Sequence, residues 1–247
     1  MSKQLSLCKN QNLCYIISGI KIILHIRRVN MNTYVCPKVR AYIENEILPR
    51  YNALPGHTGD HINNVIERSL KIVSLLENTD TKVDVNMVYV IAAYHDLGRE
   101  IANKTHHEWS AYLLRRDEKL NKLFLPEEIE IMAEAVEDHR ASSERPEPRS
   151  IYGKIVSSAD RSYSVDEILA RAYDYNKTLH PDYTEDELIE AVRRILRRKY
   201  SPDGYAATKI YFLKEEYYEF LKEVDRLTRD PEQFKKTQQE FNKKRGL

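Results

Sequence analysis

The stretch Ala92-Ala93-Tyr94-His95-Asp96-Leu97-Gly98-Arg99 sets an imidazole and a carboxylate side by side at the end of the apolar run Val88–Ala93. Burying both without partners is costly, and a divalent cation satisfies both at once because His N and Asp O are ordinary ligands. The alternative is a polar helix end closed by Gly98 as a C-terminal cap. Downstream of residue 50 the histidines are His57, His61, His95, His106, His107, His139 and His180. Most fall where helices are expected to start or stop, and separate helices that each bring one ligand are how a bundle builds a metal centre. His61, His95, Asp96 and Asp160 supply two imidazoles and two carboxylates, enough for one octahedral ion with open positions. His106 and His139 add ligands for a second ion, which Asp96 could share by offering each ion one oxygen. Arg99, Arg140 and Arg161 each follow one of these motifs. Guanidinium forks suit phosphate, and a surface salt bridge is the competing role for each, with Arg140 the strongest candidate for the anion. His57 is a candidate pocket residue, and it and Asp138 are candidate proton acceptors; His107, about 100° round the helix from His106, is expected at the surface or behind the ligands.

Helices must position these groups. Val39, Tyr42, Ile43, Ile47 and Leu48 recur at helical spacing, and Pro49 is expected to end that run. Pro55-Gly56 marks a turn, and Asp60 is expected to cap a helix whose inner face is Ile62, Val65, Ile66, Leu70, Val73 and Leu76. Further helices are expected over about 84–95, 104–114, 126–139 and 151–159, then from Val165 to Tyr175. Pro126 before Glu127 and Glu128 suits a helix start. Thr184-x-x-Glu187 reads as a capping box for a helix to about Tyr200. Ala207 to Leu227 reads as one long amphipathic helix, and the charged tail after Asp230 as a frayed one. No strand-like alternation and no internal repeat appear, so the fold class is all-α.

Composition bounds the rest. The chain has 247 residues, 42% hydrophobic and 31% charged, as in a globular protein with a sizeable core. Lys+Arg 39 against Asp+Glu 38 argues against a general nucleic-acid or membrane-surface binder. Cys8, Cys14 and Cys36 form no CxxC pair and no disulfide framework, so a reducing, cytoplasmic setting is expected. Residues 1–30 differ in character from the remainder of the chain: Leu13 to Ile26 is apolar but interrupted by Lys21 and His25, too short for a membrane span. They are expected to be a non-native or disordered extension before a domain over 31–247.

The order His61, His95-Asp96, Asp160 resembles the HD-domain metal-dependent phosphohydrolases. His57-Thr58-Gly59-Asp60-His61 resembles that family's opening helix, Tyr94–Arg99 its core motif, and Ser158-Ala159-Asp160-Arg161 its closing motif. His106-x-Glu108-x-Ser110-Ala111 and Asp138-His139-Arg140 resemble the extra histidine sites of the two-metal members. The resemblance covers about residues 50–175; residues 176–247 read only as additional C-terminal helices. It implies an HD-type helical bundle that binds one or two divalent ions (Mn, Mg, Co, Ni, Zn or Fe) through His61, His95, Asp96, His106, His139 and Asp160. The implied activity is hydrolysis of a nucleotide or related phosphate ester or anhydride by metal-activated water. Catalytic roles fall to Asp96, His57 and Arg140, and phosphate binding to Arg99, Arg140 and Arg161. A di-iron oxygenase and a non-catalytic, metal-dependent nucleotide sensor are the alternatives. No Gly-Tyr-Pro signature follows the His106 or His139 regions, which speaks against the cyclic-dinucleotide branch. The expected partner is a small phosphorylated molecule, with no stable nucleic-acid or membrane partner. The aromatic residues Tyr211 to Phe220 are expected to pack inward, leaving some surface for a homodimer.

Overall fold

The computed structural model describes residues 34–53, 59–142 and 147–247. The expected extension over 1–30 and His57 lie outside the described residues. Among the described residues every regular element is helical, so the fold is all-α. No helix among them is long and apolar enough to cross a membrane.

α1 (Pro37–Tyr42) opens on a proline at its first position, where the missing N–H costs nothing. The chain does not stop at Pro49. It widens into a π turn over Ile43–Ile47 and then tightens into a 3₁₀ turn over Leu48–Ala53. The widening keeps Val39, Ile43, Ile47 and Tyr51, each four residues apart, buried along one stripe. α2 (Gly59–Leu76) includes Asp60 in its first turn, so Asp60 is not the expected cap. α3 (Val85–Tyr94) is capped by Asp84, whose side chain accepts from Asn86 N at 2.8 Å. From Met87 to Tyr94 every residue of α3 is buried. A helix apolar all round belongs in the middle of a core, and α3 packs against α2, α6 and α7.

A 3₁₀ turn (Leu97–Glu100) leads to α4 (His106–Arg116) and the short α5 (Leu120–Leu123). α6 (Pro126–Glu137) carries Pro126 at its start, and Glu128 reaches back to accept from Leu125 N at 2.9 Å. α7 (Ile151–Ala159) is capped by Ser150 and α8 (Val165–Leu179) by Ser164. α9 (Glu185–Tyr200) begins with the Thr184/Glu187 capping box that the sequence announces. α10 (Lys214–Arg229) and α11 (Pro231–Lys244) complete the chain.

Two expectations in the C-terminal third are corrected. The long helix does not begin at Ala207. Tyr211 N and Phe212 N donate instead to Ser158 Oγ, at 3.0 and 3.2 Å, and Leu213 takes a left-handed conformation (φ 53°) before α10 starts. The tail is not frayed: Asp230 caps α11 by accepting from Glu232 N and Gln233 N, and Phe234 is fully buried.

Among the described residues two apolar cores result. The first is built from α1 to α7, and the second gathers Leu169 and Tyr173 of α8, Val192 and Leu196 of α9, Phe220 and Val224 of α10, and Phe234 of α11. α8 therefore packs with the C-terminal helices. The two cores meet around residues 158–167, where Arg161 Nη2 donates to Ser157 Oγ and to Lys209 O at 3.2 and 3.5 Å.

Candidate metal centre

The candidate ligands sit at helix ends, all near the junction of α2, α3, α4, α6 and α7. His61 lies in the first turn of α2 and His106 opens α4. His95 ends α3, with Asp96 next to it; His139 follows α6; Asp160 ends α7. Three helix C-termini, those of α3, α6 and α7, thus deliver side chains to one place. Each carries the partial negative end of its dipole, a field that favours a cation.

The carboxylate of Asp96 lies between two groups. Its Oδ2 is 3.9 Å from His61 Nε2 and 3.7 Å from His95 Nε2, while its Oδ1 is 3.1 Å from His106 Nε2 and 3.6 Å from His139 Nε2. Asp160 Oδ1 joins the first group at 3.2 Å from His61 Nε2 and 3.5 Å from His95 Nε2. Two triads, His61/His95/Asp96 and Asp96/His106/His139, are buried and could each hold an ion. Asp160 retains 21% of its side-chain exposure, the open edge of an otherwise enclosed cluster.

Hydrogen bonding sets which nitrogen of each ring is available. His95 Nδ1 pairs with Ala92 O at 2.8 Å, His106 Nδ1 with Asn103 O at 2.8 Å and His139 Nδ1 with Val136 O at 2.6 Å. A carbonyl only accepts, so each Nδ1 carries a proton and each Nε2 is the nitrogen turned toward the cluster. Ala92 and Val136 belong to last helical turns, whose carbonyls lack intrahelical partners. The histidine three residues on satisfies such a carbonyl and is turned Nε2-outward by the same bond. His95 Nε2 is buried and makes no hydrogen bond, as a metal-ligating nitrogen would before the ion arrives. The donor set of imidazole nitrogens and carboxylates therefore fits divalent metals.

The electrostatics agree. Burial alone would favour neutral Asp96 and Asp160. For Asp96, His95 and Arg99 overcome that cost and hold the carboxyl well below the usual range; for Asp160, His61 and His95 do so. Burial, reinforced by His95, pushes His139 down to about 4, so its ring is neutral and able to ligate at neutral pH. Burial disfavours the charge on His95 too, but Asp96 and Asp160 more than offset it and raise its pKa.

The segment 58–163 matches the family model described as HD domain. That segment is similar to HD domains. No curated protein and no solved structure matches the chain. The matched segment spans all six candidate ligands and ends before α8, so α8 to α11 lie outside it.

Around the cluster the three arginines differ. Arg99 Nε is 3.0 Å from Asp96 Oδ1 and its Nη2 is 3.5 Å from His106 Nε2; Nη1 also bonds Asn103. Arg140 donates to Lys104 O at 2.9 Å, His107 Nδ1 at 3.3 Å and Ser142 Oγ at 3.1 Å. Arg161 is buried, and its guanidinium hydrogen bonds run to Ser157 and Lys209, where the two cores meet. Asp138 accepts from Arg149 N at 2.6 Å and from the Arg149 guanidinium, which makes it a brace for the loop before α7. His107 is half-buried and pushed down, first by burial and then by Arg140.

Three residues absent from the sequence-level candidates surround the back of His61. Glu167 Oε1 lies 3.6 Å from His61 Nδ1, and Arg171 Nη1 3.0 Å from the same atom. Arg68 Nη2 donates to Glu167 Oε2 at 3.2 Å, and its Nη1 to Arg161 O at 2.8 Å, which fixes the turn after Asp160. Burial raises the cost of charging Glu167, but His61, Arg68 and Arg171 bring its pKa down to about 2. Glu167 and Arg171 belong to α8, beyond the matched segment, and nothing in their local sequence marks them as neighbours of His61.

Proposed function

We propose that the chain is a metal-dependent phosphohydrolase acting on a nucleotide or a related phosphate ester or anhydride. The supporting observation is the split of Asp96: one oxygen faces His61, His95 and Asp160, and the other faces His106 and His139. In this reading His61, His95, Asp96 and Asp160 hold one divalent ion, and Asp96, His106 and His139 hold a second. Such ions supply a water of lowered pKa and polarise a phosphoryl oxygen.

The chain's own residues do the remainder. The Nδ1–carbonyl bonds keep His95, His106 and His139 oriented before substrate arrives, so little reorganisation is needed. Arg99, beside Asp96 and His106, and Arg140, at the neighbouring loop, carry the positive charge expected to meet phosphoryl oxygens. Asp160, at the open edge, marks the side from which substrate approaches. The surrounding buried rings exclude bulk water and strengthen every charge interaction within.

The test is elemental analysis of protein purified without chelator, followed by incubation with nucleotides, pyrophosphate and simple phosphate esters in Mn²⁺, Mg²⁺ or Co²⁺. Release of phosphate or pyrophosphate, lost together with bound metal in Asp96→Ala at unchanged helicity, is the expected result. Metal-loaded protein that turns over none of these compounds would overturn the proposal. Bound iron with oxygen-dependent turnover would replace it with the oxygenase alternative.

A further inference from the structure

The two halves of the cluster differ in one respect: a cation of the chain itself faces the second. Arg99 Nε is buried and lies 3.0 Å from Asp96 Oδ1, and Arg99 Nη2 lies 3.5 Å from His106 Nε2. Those are two of the three atoms assigned above to the second ion. The third, His139 Nε2, is 3.3 Å from His106 Nε2 and 3.6 Å from Asp96 Oδ1. The hydrogen bonds decide what this means. His106 Nδ1 gives its proton to Asn103 O at 2.8 Å, and a guanidinium only donates, so His106 Nε2 accepts from Arg99. Such a ring nitrogen has a single lone pair. The Arg99 N–H and a metal ion both need it, so one excludes the other, and repulsion between the two positive charges adds to the conflict in a buried setting.

The first position has no such competitor among the described residues. Asp160 Oδ1 pairs with the His61 and His95 rings, and Asp96 Oδ2 faces the same two. Arg171 meets His61 at Nδ1, not at the Nε2 that faces Asp160. Arg99 is also held so that it can leave. It lies on the 3₁₀ turn three residues after Asp96, its backbone N–H donates to Asp96 O at 3.1 Å, and its Nη1 donates to the exposed Asn103. The guanidinium thus reaches from the buried carboxylate to the surface.

We propose that Arg99 is an internal cation occupying the second position, so that the two positions fill in order. The His61/His95/Asp160 position fills first, and the His106/His139 position only once the guanidinium has been displaced. The proposal rests on the reading of two cation positions given above, and not on the hydrolytic activity. Linkage is reciprocal: a ligand that draws the guanidinium away strengthens binding of the second ion, and the second ion strengthens binding of that ligand by the same factor. The phosphoryl oxygens assigned to Arg99 above are such a ligand, so phosphorylated substrate and second ion favour each other.

The experiment titrates Mn²⁺ calorimetrically into the full, metal-stripped chain without substrate. The wild type should show one tight event and one at least about tenfold weaker. His139→Gln should delete the weaker event and keep the tighter one, which assigns it. Arg99→Gln should tighten the weaker event about tenfold and change the tighter one far less. Asn103→Ala, at an exposed position, frees the outer end of the guanidinium and should act in the same direction to a smaller extent. In Arg99→Ala, added methylguanidinium should compete with the second ion and not with the first, a response that a merely structural arginine would not produce. Circular dichroism checks that each variant keeps its helicity. Two equal events in the wild type would overturn the proposal. So would a weaker event that Arg99→Gln leaves unchanged or weakens further, or methylguanidinium without effect. Phosphate release by a protein with unaltered Arg99→Gln isotherms would remove this proposal and leave the phosphohydrolase reading standing. Protein that binds no Mn²⁺ as wild type or as any variant would remove the two cation positions themselves.

Discussion

At the scale of single residues, four imidazoles converge and three are oriented by the same device, a carbonyl three positions back in the chain. His61 is the exception because it lies in the first turn of α2, and its Nδ1 faces Glu167 and Arg171 of α8. Arg171 Nη1 can only donate to that Nδ1, whereas Glu167 Oε1, 3.6 Å away and with no hydrogen-bond partner, is the group placed to take the Nδ1 proton when His61 ligates through Nε2, a contact typically worth about 10–100-fold in metal affinity. Glu167→Gln should therefore weaken Mn²⁺ binding at the His61/His95/Asp160 position by roughly that factor. The His106/His139 position should keep its affinity, and paired calorimetric titrations separate the two; equal weakening at both positions would refute the assignment. The adjacent pair His95-Asp96 was legible in the sequence because one apolar run delivers both groups. Glu167 was not, because its importance exists only once α8 folds across the start of α2, and locally it looks like an acidic residue near a helix N-terminus.

Among the elements, the turn between α3 and α4 sets the spacing of the two halves of the cluster. Gly98 does not adopt the left-handed conformation of a C-terminal cap; positive-φ glycine occurs at Gly246 instead. Gly98 is needed because a Cβ there would lie 2.2 Å from His106 O and 2.5 Å from Ser110 N, and its own N–H donates to Ser110 Oγ at 2.7 Å. Gly98→Ala must push α4 away. The expected cost is about 1–3 kcal/mol of stability, with His106 displaced from Asp96, so a thermal melt and the stoichiometry of bound Mn²⁺ should fall together. In the sequence the one role open to this glycine was the alternative of a helix cap, since a close approach to a distant backbone leaves no local trace. A second fastening lies at Asp117, whose Oδ2 accepts from Tyr94 at 2.6 Å and also from Tyr42. Burial, and then the Asp117 carboxylate, push the Tyr42 phenol up to about 12. The neutral phenol is the stabilised form, so this contribution is fully present below pH 10 and disappears as pH rises through about 12. Absorbance titration at alkaline pH should show one late-ionising tyrosine fewer in Tyr42→Phe; an unchanged curve would contradict the assignment.

For the whole molecule, the division into two cores explains why the C-terminal third resisted sequence reading. Residues 207–213 carry apolar side chains at helical intervals, yet the N–H groups of Tyr211 and Phe212 are claimed by Ser158 on α7, a partner about fifty positions away that periodicity does not register. Ser158→Ala strips the acceptor from two N–H groups and should cost about 1–3 kcal/mol. Hydrogen exchange should accelerate at Tyr211 and Phe212 while α3 stays protected; uniform acceleration would mean that the hydroxyl supports the whole fold and not this strap.

The ligands at His61 and Asp160 belong to the first and last long helices of the α2–α7 segment, with their donor atoms 3.2 Å apart. An ion gripping both closes a chain loop of about a hundred residues, and a covalent bridge over such a span removes ~4–5 kcal/mol of denatured-state entropy. Coordination would thus act as a reversible cross-link, and the melting temperature should fall on adding a strong chelator and recover with Mn²⁺. Identical melting curves in both conditions would mean that the two helices are joined by apolar packing alone.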